Sequence, residues 1–424
     1  MKGEVFSRLE SEVRGYCRNF PVVFDRAEGP RLYAESGRAY IDFFAGAGAL
    51  NYGHNPRPMR DALIAYLERG AVTHSLDMMT VAKREFLSRF EQVILRKRSL
   101  EYKVQFPGPT GTNAVEAALK LARKVTGRRD VVSFTNAFHG MTLGALAVTG
   151  NAFKRQGAGV PLNHTVVMPY DSANGIDSLA LLESLLENSS SGVDLPAAVI
   201  LETVQAEGGI HVARTSWLRK LAELCQRHGM VLIVDDIQVG CGRTGSFFSF
   251  ESAGIEPDMI CLSKSLSGYG LPLAVTLVRP SLDRWAPGEH NGTFRGHNPA
   301  FVTATVALDH WTDDSLQRSV EAHGEHIAAE LASLRERVPG FTIEQRGRGM
   351  IRGLVFKGDG VAAKVARAAF EHGLIVETAG PRDEVLKIMP PLTIDRATLD
   401  EGLGMLRQAT LDVCVSDRAI EAAE

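Results

Sequence analysis

Five short apolar runs alternate with helical segments in the middle of the chain, and this alternation constrains the fold more than any other feature. The runs are VVSF (131–134), AAVILE (197–202), VLIVDD (231–236), MICL (259–262) and AVTLV (274–278). Their apolar residues are continuous rather than alternating, as in strands that are covered on both faces. Such strands, separated by helices, indicate a mostly parallel sheet with helices on both sides, which is an α/β fold.

Helical periodicity and turn residues organise the rest of the chain. The segment NAVEAALKLARKV (113–125) has a small, apolar helical face formed by Ala114, Ala117, Ala118, Leu121 and Val125. Further predictions are a strand pair around RLYAESGRAYIDFF (31–44), a helix near 59–69 and a long helix near 300–336.

The length of 424 residues is more than one ordinary domain needs. We predict an N-terminal arm that forms part of a small domain (1–54), a large domain around the parallel sheet (55–315), and the C-terminal part of a small α+β domain (316–424). After about residue 340 the chain mixes short strands and helices, and we expect this part to pack with the N-terminal arm.

Composition narrows the class of protein. The net charge of -3 supplies no basic surface for nucleic acid, and no run approaches the roughly 18 to 20 apolar residues of a membrane span. The five cysteines are scattered without a CxxC pair, which predicts reduced thiols and no zinc site. The charged first twenty residues lack the apolar centre of a signal peptide. We therefore expect a cytoplasmic protein that binds neither nucleic acid, membranes nor a metal.

The first candidate for chemistry is GPTGTNAVEAALKLAR (108–123), where a Gly/Thr-rich turn opens directly into a helix. The free N–H groups and dipole of a helix N-terminus attract anions, and the hydroxyl of Thr112 adds a donor. Simple helix capping by Thr or Asn is the alternative. The spacing fits neither GxxxxGK[ST] nor GxGxxG, so it disfavours a nucleotide site.

Two further candidates follow neighbouring apolar runs. Asp235 and Asp236 end VLIVDD, and Lys264 comes shortly after MICL. Ligands bind at the carboxyl ends of strands in open parallel sheets, where a lysine can be desolvated and become nucleophilic. Because side chains alternate along a strand, only one of the two aspartates points along the apolar face. Taken singly, a helix-capping aspartate and a solvated lysine remain the simpler interpretations.

Taken together, these three features favour one site. An anion cradle, a carboxylate and a lysine at one edge of one sheet meet the needs of pyridoxal phosphate. That cofactor requires a phosphate site, a partner for its pyridine nitrogen and a lysine amine for covalent attachment. A nicotinamide enzyme or a metal hydrolase requires no such set.

Longer segments extend these motifs: GTNAVEAALKLAR, FHGMTLGA, VDDIQVGCGRTG, LSKSLSGYGLPLA and GTFRG. With them, nearly the full length of the chain resembles the class III aminotransferases, which are pyridoxal-phosphate enzymes of fold type I. The resemblance implies a large domain with a mostly parallel central sheet and a smaller α+β domain. It also implies a homodimer or higher homo-oligomer with shared active sites.

The resemblance implies roles for residues around the cofactor. Lys264 is expected to bind it covalently and to move the proton between substrate and cofactor. Asp235 is expected to pair with the pyridine nitrogen and Gln238 to contact the ring hydroxyl. Ile237 would cover one face of the ring, and Phe138 would stack on the other.

The phosphate is expected to lie on Gly111 and Thr112. Thr293, in GTFRG, is implied to reach the phosphate of the neighbouring subunit, so that each active site needs two chains. His139, in FHG, is expected to be structural. Asp236 stands where the family usually has a glutamate.

Substrate choice is implied to depend on acidic and basic positions. Glu202 and Glu207 match two glutamates of the family, and Glu207 is the one expected to face the substrate. Its usual partner, an arginine before PPL, is replaced by Lys387, and a lysine cannot make a two-pronged contact with a carboxylate. An arginine common after FHG is replaced by Met141. Arg295 is the predicted replacement anchor for a carboxylate.

Five long stretches resemble a subgroup of the family: ESEVRGYCRNFPVVF, DFFAGAGALNYGHNP, THSLDMMT, KVQFPGPTGTNAVEAALKLARKVTGR and GEHNGTFRGHNPAFV. Its members transfer the amino group of L-glutamate to L-aspartate 4-semialdehyde in ectoine synthesis, giving 2-oxoglutarate and L-2,4-diaminobutyrate. Ala47, where some relatives have a tyrosine, and Met141 argue against ornithine and 4-aminobutyrate as substrates. The alternatives are a 4-aminobutyrate or ornithine transaminase, diaminobutyrate supply for a siderophore or peptide, an aminomutase and a non-catalytic relative.

Overall fold

A computed structural model describes residues 4–171 and 175–421 of the chain. The helices are α1 (Glu4–Leu9), α2 (Tyr16–Asn19), α3 (Ala45–Gly48), α4 (Arg57–Glu68), α5 (Val81–Phe90), α6 (Gly111–Thr126), α7 (Leu143–Ala147), α8 (Ala152–Gln156), α9 (Ser178–Glu187), α10 (Thr215–His228), α11 (Asn298–Ala307), α12 (Ser315–Arg337), α13 (Val361–His372) and α14 (Arg396–Glu421). The strands are β1 (Phe24–Glu28), β2 (Arg31–Ala34), β3 (Ala39–Asp42), β4 (Lys103–Gln105), β5 (Val131–Phe134), β6 (Thr165–Met168), β7 (Ala198–Leu201), β8 (Val204–Gln205), β9 (His211–Val212), β10 (Val231–Asp235), β11 (Met259–Leu262), β12 (Val275–Val278), β13 (Thr342–Arg348), β14 (Ile351–Phe356), β15 (Leu374–Ile375), β16 (Glu377–Ala379) and β17 (Val385–Ile388).

The central sheet of the described chain has seven strands, in the order β4-β12-β11-β10-β7-β5-β6. The pairs from β11 to β6 are parallel, and Asp235 lies opposite Cys261 in the pair β10–β11. β12 runs antiparallel to both β11 and β4. Every residue of β5, β7 and β11 is buried. The mostly parallel, doubly covered sheet predicted from the continuous apolar runs is therefore confirmed.

All five apolar runs form strands of this sheet, but its two edge strands were not predicted. β4 and β6 are short and partly exposed, so they lack a continuous apolar pattern. The strand pair predicted around 31–44 is confirmed as the antiparallel strands β2 and β3. The helix predicted near 59–69 corresponds to α4.

Helix α6 covers one face of the sheet and places its first turn at the sheet's carboxyl edge. The predicted apolar face is confirmed, because Ala114, Ala117, Ala118 and Leu121 are fully buried. Complete burial of a side chain such as Leu121 contributes about 1.5–3 kcal/mol. Gly127 ends the helix in the left-handed conformation, with φ 68°.

The single long helix predicted near 300–336 is wrong. α11 and α12 are separate helices, and the segment 308–314 between them begins with a short 3-10 turn. Trp311 is buried in this segment, and its indole N–H donates to the hydroxyl of Tyr52 at 2.9 Å. Anchoring Trp311 in the core interrupts the helix, while helical periodicity continues on both sides of the break.

Two smaller sheets join distant parts of the chain. The first has the order β1-β2-β3-β15, and its parallel pair β3–β15 places Leu374 opposite Ile41. This pairing confirms the predicted packing of the C-terminal part with the N-terminal arm, whereas the domain boundaries stay a prediction. The second has the order β13-β14-β17-β16, and its antiparallel pair β16–β17 places Glu377 opposite Lys387.

The cysteines and the helices bear on two expectations from composition, reduced thiols and the lack of a membrane span. Cys17 is an exposed free thiol, Cys225, Cys241 and Cys261 are buried free thiols, and Cys414 is buried as well. Within the described parts of the chain, each helix is too short or too polar to cross a membrane.

Candidate active site

The carboxyl ends of β5, β7, β10 and β11 meet at one edge of the central sheet, and a cavity of about 310 Å³ lies there. Its walls include several residues predicted from the sequence to form the site: Gly111, Thr112, Phe138, Asp235, Ile237, Gln238 and Lys264. The fold therefore brings together the turn before α6, the strand-end aspartate and the lysine, although they lie far apart in sequence.

Lys264 follows β11 by two residues and begins a short 3-10 turn. Its φ of +48° lies in the left-handed region, which non-glycine residues seldom adopt. The neighbouring serines hold this conformation: Ser263 Oγ donates to the carbonyl of Leu273 at 2.8 Å, and Ser265 Oγ donates to the carbonyl of Gly48. Backbone strain of this kind costs about 1–3 kcal/mol and is typical of functional sites.

Burial lowers the pKa of the Lys264 amine. Glu207 opposes this shift, and the second ammonium, that of Lys387, adds to it. A lowered pKa increases the fraction of free amine, and the free amine is the nucleophilic form.

Asp235 is held in place by a histidine. It is 4% exposed, and its Oδ2 lies 2.7 Å from Nδ1 of His139. Burial lowers the pKa of His139, but the hydrogen bond and charge of Asp235 outweigh this effect and raise it. Nε2 of His139 has no hydrogen-bond partner among the described residues. His139 thus supports Asp235 directly, a contact that the sequence did not reveal.

Asp236 faces away from the cavity, as the alternation of side chains predicts. Its Oδ2 accepts the backbone N–H of Ser249 at 3.0 Å, and it does not line the cavity. Burial raises its pKa to about 7. Of the two strand-end aspartates, Asp235 is therefore the one available to a ligand.

The Gly/Thr-rich turn at the start of α6 agrees with both interpretations given above, helix capping and a place in a ligand site. Thr110 is the N-cap and forms a capping box with Asn113, which confirms helix capping for these two residues. Gly111 and Thr112 nevertheless line the cavity. A Cβ on Gly111 would lie 2.8 Å from Cδ1 of Ile237, so the backbone can pack this closely only because residue 111 is glycine.

Phe138 and Ile237 form apolar walls of the cavity. The backbone N–H of Phe138 donates to Oε1 of Glu202 at 2.9 Å, which fixes the loop that carries the ring. Burial raises the pKa of Glu202 to about 8. Its carboxyl group is therefore mainly protonated at neutral pH.

A buried cluster of charges lies beside the cavity and is referred to below as the gate cluster (Glu207, Glu377 and Lys387). The ammonium of Lys387 is 2.7 Å from Glu207 Oε1 and 2.8 Å from Glu377 Oε1, and its side chain is fully buried. Gln238 joins this cluster to the cavity, because its Nε2 donates to Glu207 Oε1 at 3.0 Å and to the carbonyl of Ala47 at 2.8 Å.

The charges in the gate cluster stabilise one another. Burial raises the pKa of Glu207, but the charges of Lys387 and Lys264 outweigh it and lower the pKa to about 2. Burial also opposes the charge of Lys387, whose two carboxylate neighbours nevertheless raise its pKa. Burial raises the pKa of Glu377, so the charged form of Glu377 is less stabilised than that of Glu207. Lys387 and Glu207 are therefore both charged at neutral pH.

Glu377 is a residue of this cluster that the sequence analysis missed. It belongs to no motif, and the register of β16 against β17 alone brings it opposite Lys387. Its Oε1 lies at ion-pair distance but makes no well-aligned hydrogen bond, whereas Glu207 accepts a hydrogen bond from Lys387. The only sequence signal for its role was that a charged residue lies in a short strand next to the strand of Lys387.

Two residues predicted from the family resemblance lie outside the cavity of this single chain, and a third position that the resemblance singled out lies in its wall. Thr293 and Arg295 are on a loop outside the cavity walls, and Arg295 Nη2 donates to the carbonyl of Asn291. Thr293 presents its carbonyl to Nε2 of His74 at 3.1 Å. Met141 lies in the cavity wall and is 53% exposed.

The residues around the cavity fit pyridoxal phosphate. A buried lysine with a lowered pKa, a histidine-supported aspartate and a helix N-terminus with free N–H groups match its aldehyde, its ring nitrogen and its phosphate. Ile237 packs closely against the backbone of Gly111, so an apolar side chain lies beside the start of α6 in the cavity wall. No group of three side chains that could hold a metal occurs among the described residues.

Comparison with known proteins agrees with this geometry. A profile of the family "Aminotransferase class-III" matches residues 14–410. The chain is 57% identical over 407 residues to a protein of Halalkalibacterium halodurans named diaminobutyrate–2-oxoglutarate transaminase, covering 96% of this chain and 95% of that protein. It is 60% identical over 409 residues to a protein of the same name from Streptomyces avermitilis, covering 96% and 97%.

Solved structures show the same fold. The ornithine aminotransferase of Toxoplasma gondii superposes with a TM-score of 0.85 at 26% identity, covering 97% of this chain and 94% of that one. A second structure of this enzyme, at TM-score 0.83 and 27% identity over 97% and 94% of the two chains, is described as having partial occupancy of PLP at its active site. The match extends over the whole α/β architecture, which is that of fold type I.

Proposed function

The chain belongs to the class III aminotransferase family, and we propose that it is a pyridoxal-phosphate enzyme that forms L-2,4-diaminobutyrate. L-glutamate donates its amino group and leaves as 2-oxoglutarate, and L-aspartate 4-semialdehyde accepts the group at its terminal carbon. The convergence of Lys264, Asp235 and the α6 N-terminus on one cavity carries this proposal. The cytoplasmic synthesis of ectoine is the pathway to which we assign the reaction.

The cavity walls would hold the cofactor at each of its functional groups. Asp235, supported by His139, would bind the pyridine nitrogen and keep it protonated. Gly111 and Thr112 would hold the phosphate at the start of α6. When bound, the cofactor supplies a conjugated ring that delocalises negative charge from the reacting carbon.

The remaining walls would orient the ring. Phe138 and Ile237 lie in the cavity as apolar surfaces for its two faces, and Gln238 is the amide for its hydroxyl group. Gln238 also contacts Glu207, so it links the position of the ring to the gate cluster.

Lys264 acts first as the point of covalent attachment and then as the base. Its Nζ, once free, would move the proton between the reacting carbon of the substrate and the cofactor. Burial favours the neutral amine needed for this step, because it lowers the pKa of Lys264.

Glu207 and Lys387 would act as a switch between the two substrates. The pair opens for L-glutamate, whose α-carboxylate takes the place of Glu207 beside Lys387. It closes for the semialdehyde, whose reacting end carries no carboxylate. The 2.7 Å contact in the described state corresponds to the closed form. If Lys387→Ala slowed both half-reactions equally in single-turnover measurements, the switch would be refuted.

The active form is expected to be a homodimer or a higher homo-oligomer, with Thr293 reaching the phosphate in the neighbouring subunit. Thr293 lies outside the cavity of its own chain, next to exposed apolar side chains. Phe294 is 66% exposed, and its ring packs edge-on against His74, close in sequence to the exposed Met78 and Met79. Exposed apolar side chains of this kind are typical of protein interfaces.

The decisive experiment is to combine the enzyme and pyridoxal phosphate with L-glutamate and L-aspartate 4-semialdehyde. We expect diaminobutyrate and 2-oxoglutarate in equal amounts, and neither product with Lys264→Ala. Substitution of ornithine or 4-aminobutyrate as the amino donor tests the other transaminase activities of the family.

Each alternative gives a different result. Turnover of 4-aminobutyrate or ornithine without formation of diaminobutyrate would refute the specific assignment. An aminomutase would release no 2-oxoglutarate, and a non-catalytic relative would form no product at all. Supply of diaminobutyrate to a siderophore or peptide would show in the neighbouring genes rather than in this assay.

A further inference from the structure

The two amino acids of the proposed reaction share one geometric property. In L-glutamate, the side-chain carboxylate carbon is three bonds from the carbon that bears the reacting amine. In L-2,4-diaminobutyrate, the carboxylate carbon is also three bonds from the terminal carbon that reacts. A single cation at a fixed distance from the reacting carbon can therefore bind the distal carboxylate in both half-reactions.

A second cavity, of about 250 Å³, lies against the first. Phe138 is a wall of both cavities, and Glu207 in the second cavity accepts a hydrogen bond from Gln238 in the first. The side chain of a substrate attached in the first cavity can therefore extend into the second. Among the described residues that line the second cavity, Lys154 carries the one positive charge.

Close backbone contacts build this second cavity. The N–H of Gly150 donates to the carbonyl of Ala137 at 2.8 Å, which places the start of α8 beside Phe138. Gly208 also packs closely against the segment before Phe138, because a Cβ on residue 208 would lie 2.2 Å from the carbonyl oxygen of Asn136. These contacts hold the segments that carry Lys154 and Glu207 against residues 136–137, which directly precede Phe138.

Helix α8 is anchored on both sides of Lys154. The side chain of Asn151 caps it by accepting the backbone N–H of Lys154 at 3.0 Å. Nη1 of Arg155 donates at 2.8–3.0 Å to three backbone carbonyl groups, those of Leu146, Ala147 and Thr149. The backbone of Lys154 is therefore fixed, and its side chain projects from a rigid support.

The ammonium of Lys154 has no anionic partner in the described parts of the chain. It lies 4.1 Å from the ring centroid of Phe138, with no ion pair and no hydrogen bond to its Nζ. Glu207, the carboxylate in the same cavity, is already neutralised by Lys387. A half-buried cation with only an aromatic face as neighbour is available to an incoming carboxylate.

We propose, on the basis of the function proposed above, that Lys154 is the cation that binds the distal carboxylate of both amino acids. It would replace the arginine whose place is taken by Met141. Arg295, the anchor predicted from the sequence, lies outside both cavities of its own chain and would serve only from a neighbouring subunit. Lys154 and Arg295 are thus competing anchors that mutation can separate.

The test measures kcat/KM with two pairs of amino donors. L-glutamate is compared with L-glutamine, which has an uncharged amide at the same position. L-2,4-diaminobutyrate is compared with 1,3-diaminopropane, which lacks the carboxylate. In Lys154→Gln, we expect kcat/KM to fall about 10- to 100-fold for both carboxylated donors and to stay unchanged for the uncharged ones, because a hydrogen bond to a charged group contributes about 1.5–3 kcal/mol.

Controls make the result specific. Lys154→Arg should retain most of the preference, and Lys220→Gln, which removes an exposed lysine paired with Asp177, should change nothing. An equal loss for all four donors, no loss, or the selective pattern in Arg295→Gln instead would overturn the assignment. Failure of the proposed function would give a different result, because the wild-type enzyme would then not turn over diaminobutyrate. In that case, the comparison of L-glutamate with L-glutamine as amino donors still decides whether Lys154 binds the distal carboxylate.

Discussion

The ammonium of Lys387 lies 2.8 Å from Oε1 of Glu377, directly across the antiparallel pair β16–β17, and 2.7 Å from Oε1 of Glu207. One of these acids belongs to the sheet, and the other follows β8 in a loop. Removing the only partner of a buried charge costs about 3–5 kcal/mol. Because Glu377 stays in place when Glu207 moves, it lowers the cost of opening the proposed switch.

Replacing Glu377 by glutamine should slow the half-reaction that requires the switch to open. In Glu377→Gln, opening leaves the Lys387 ammonium without a counterion until the α-carboxylate of L-glutamate reaches it, so we expect slower opening and a fall in kcat/KM for L-glutamate of about tenfold, which corresponds to about 1.4 kcal/mol. The half-reaction of diaminobutyrate, which uses the closed pair, should change less than twofold by comparison. Single-turnover absorbance measurements of each half-reaction test this difference.

An equal effect on both half-reactions would show that Glu377 only supports the local structure. Lys387→Met serves as a matched comparison, because it removes the cation with which both buried carboxylates form ion pairs. We expect this variant to lower the melting temperature more than Glu377→Gln does. Combining the two substitutions should recover part of that loss.

The lysine at the start of the 3-10 turn should be indispensable. Lys264→Ala removes both the attachment point and the base, so we expect kcat to fall at least about 10³-fold, within the range of general acid–base catalysis. The visible absorbance of lysine-bound cofactor should also disappear. Lys220→Ala is the control, and normal absorbance and turnover in Lys264→Ala would contradict the assigned role.

A methyl group on Gly111 should weaken cofactor binding through Ile237. The added Cβ would lie 2.8 Å from Ile237 Cδ1, and because Gly111 has an ordinary φ the effect is one of space and not of backbone strain. We expect the Kd for pyridoxal phosphate to rise about tenfold, equivalent to about 1.4 kcal/mol. The double variant Gly111→Ala, Ile237→Val should recover affinity, and an unchanged Kd in the single variant would place the phosphate elsewhere.

The buried acid beneath Phe138 should make stability depend on pH. Burial raises the pKa of Glu202 from an ordinary value of 4.5 to about 8, so between these pH values the folded chain holds a proton that the unfolded chain has lost. This group therefore favours folding less and less as pH rises through that window, by at most about 1.4 kcal/mol per pH unit. Relative to wild type, the stability of Glu202→Gln should increase between pH 5 and 8 and then level off.

Urea unfolding of the cofactor-bound protein across this pH range measures the effect. Glu187→Gln, which removes an exposed carboxylate from α9, is the control for the loss of one negative charge. If the difference between Glu202→Gln and wild type stayed constant with pH, Glu202 would titrate alike in the folded and unfolded chains.

Much of the candidate site was predictable because its signals are local. A continuous apolar run predicts a buried strand, and a charged residue at its end then lies at the sheet edge, as Asp235 and Lys264 do. The capping of α6 by Thr110 and Asn113 is likewise encoded within four residues. The break between α11 and α12 was not predictable, since it depends on the distant contact of Trp311 with Tyr52.

The sequence by itself determined the parallel sheet and the three groups at its carboxyl edge, because strand periodicity and strand ends are properties of neighbouring residues. Only the tertiary structure decided what each group touches. His139 meets Asp235 across 96 positions, and Glu377 meets Lys387 through the register of two short strands. A slip of one residue in that register would turn Glu377 to the opposite face of the sheet and leave Lys387 with Glu207 alone.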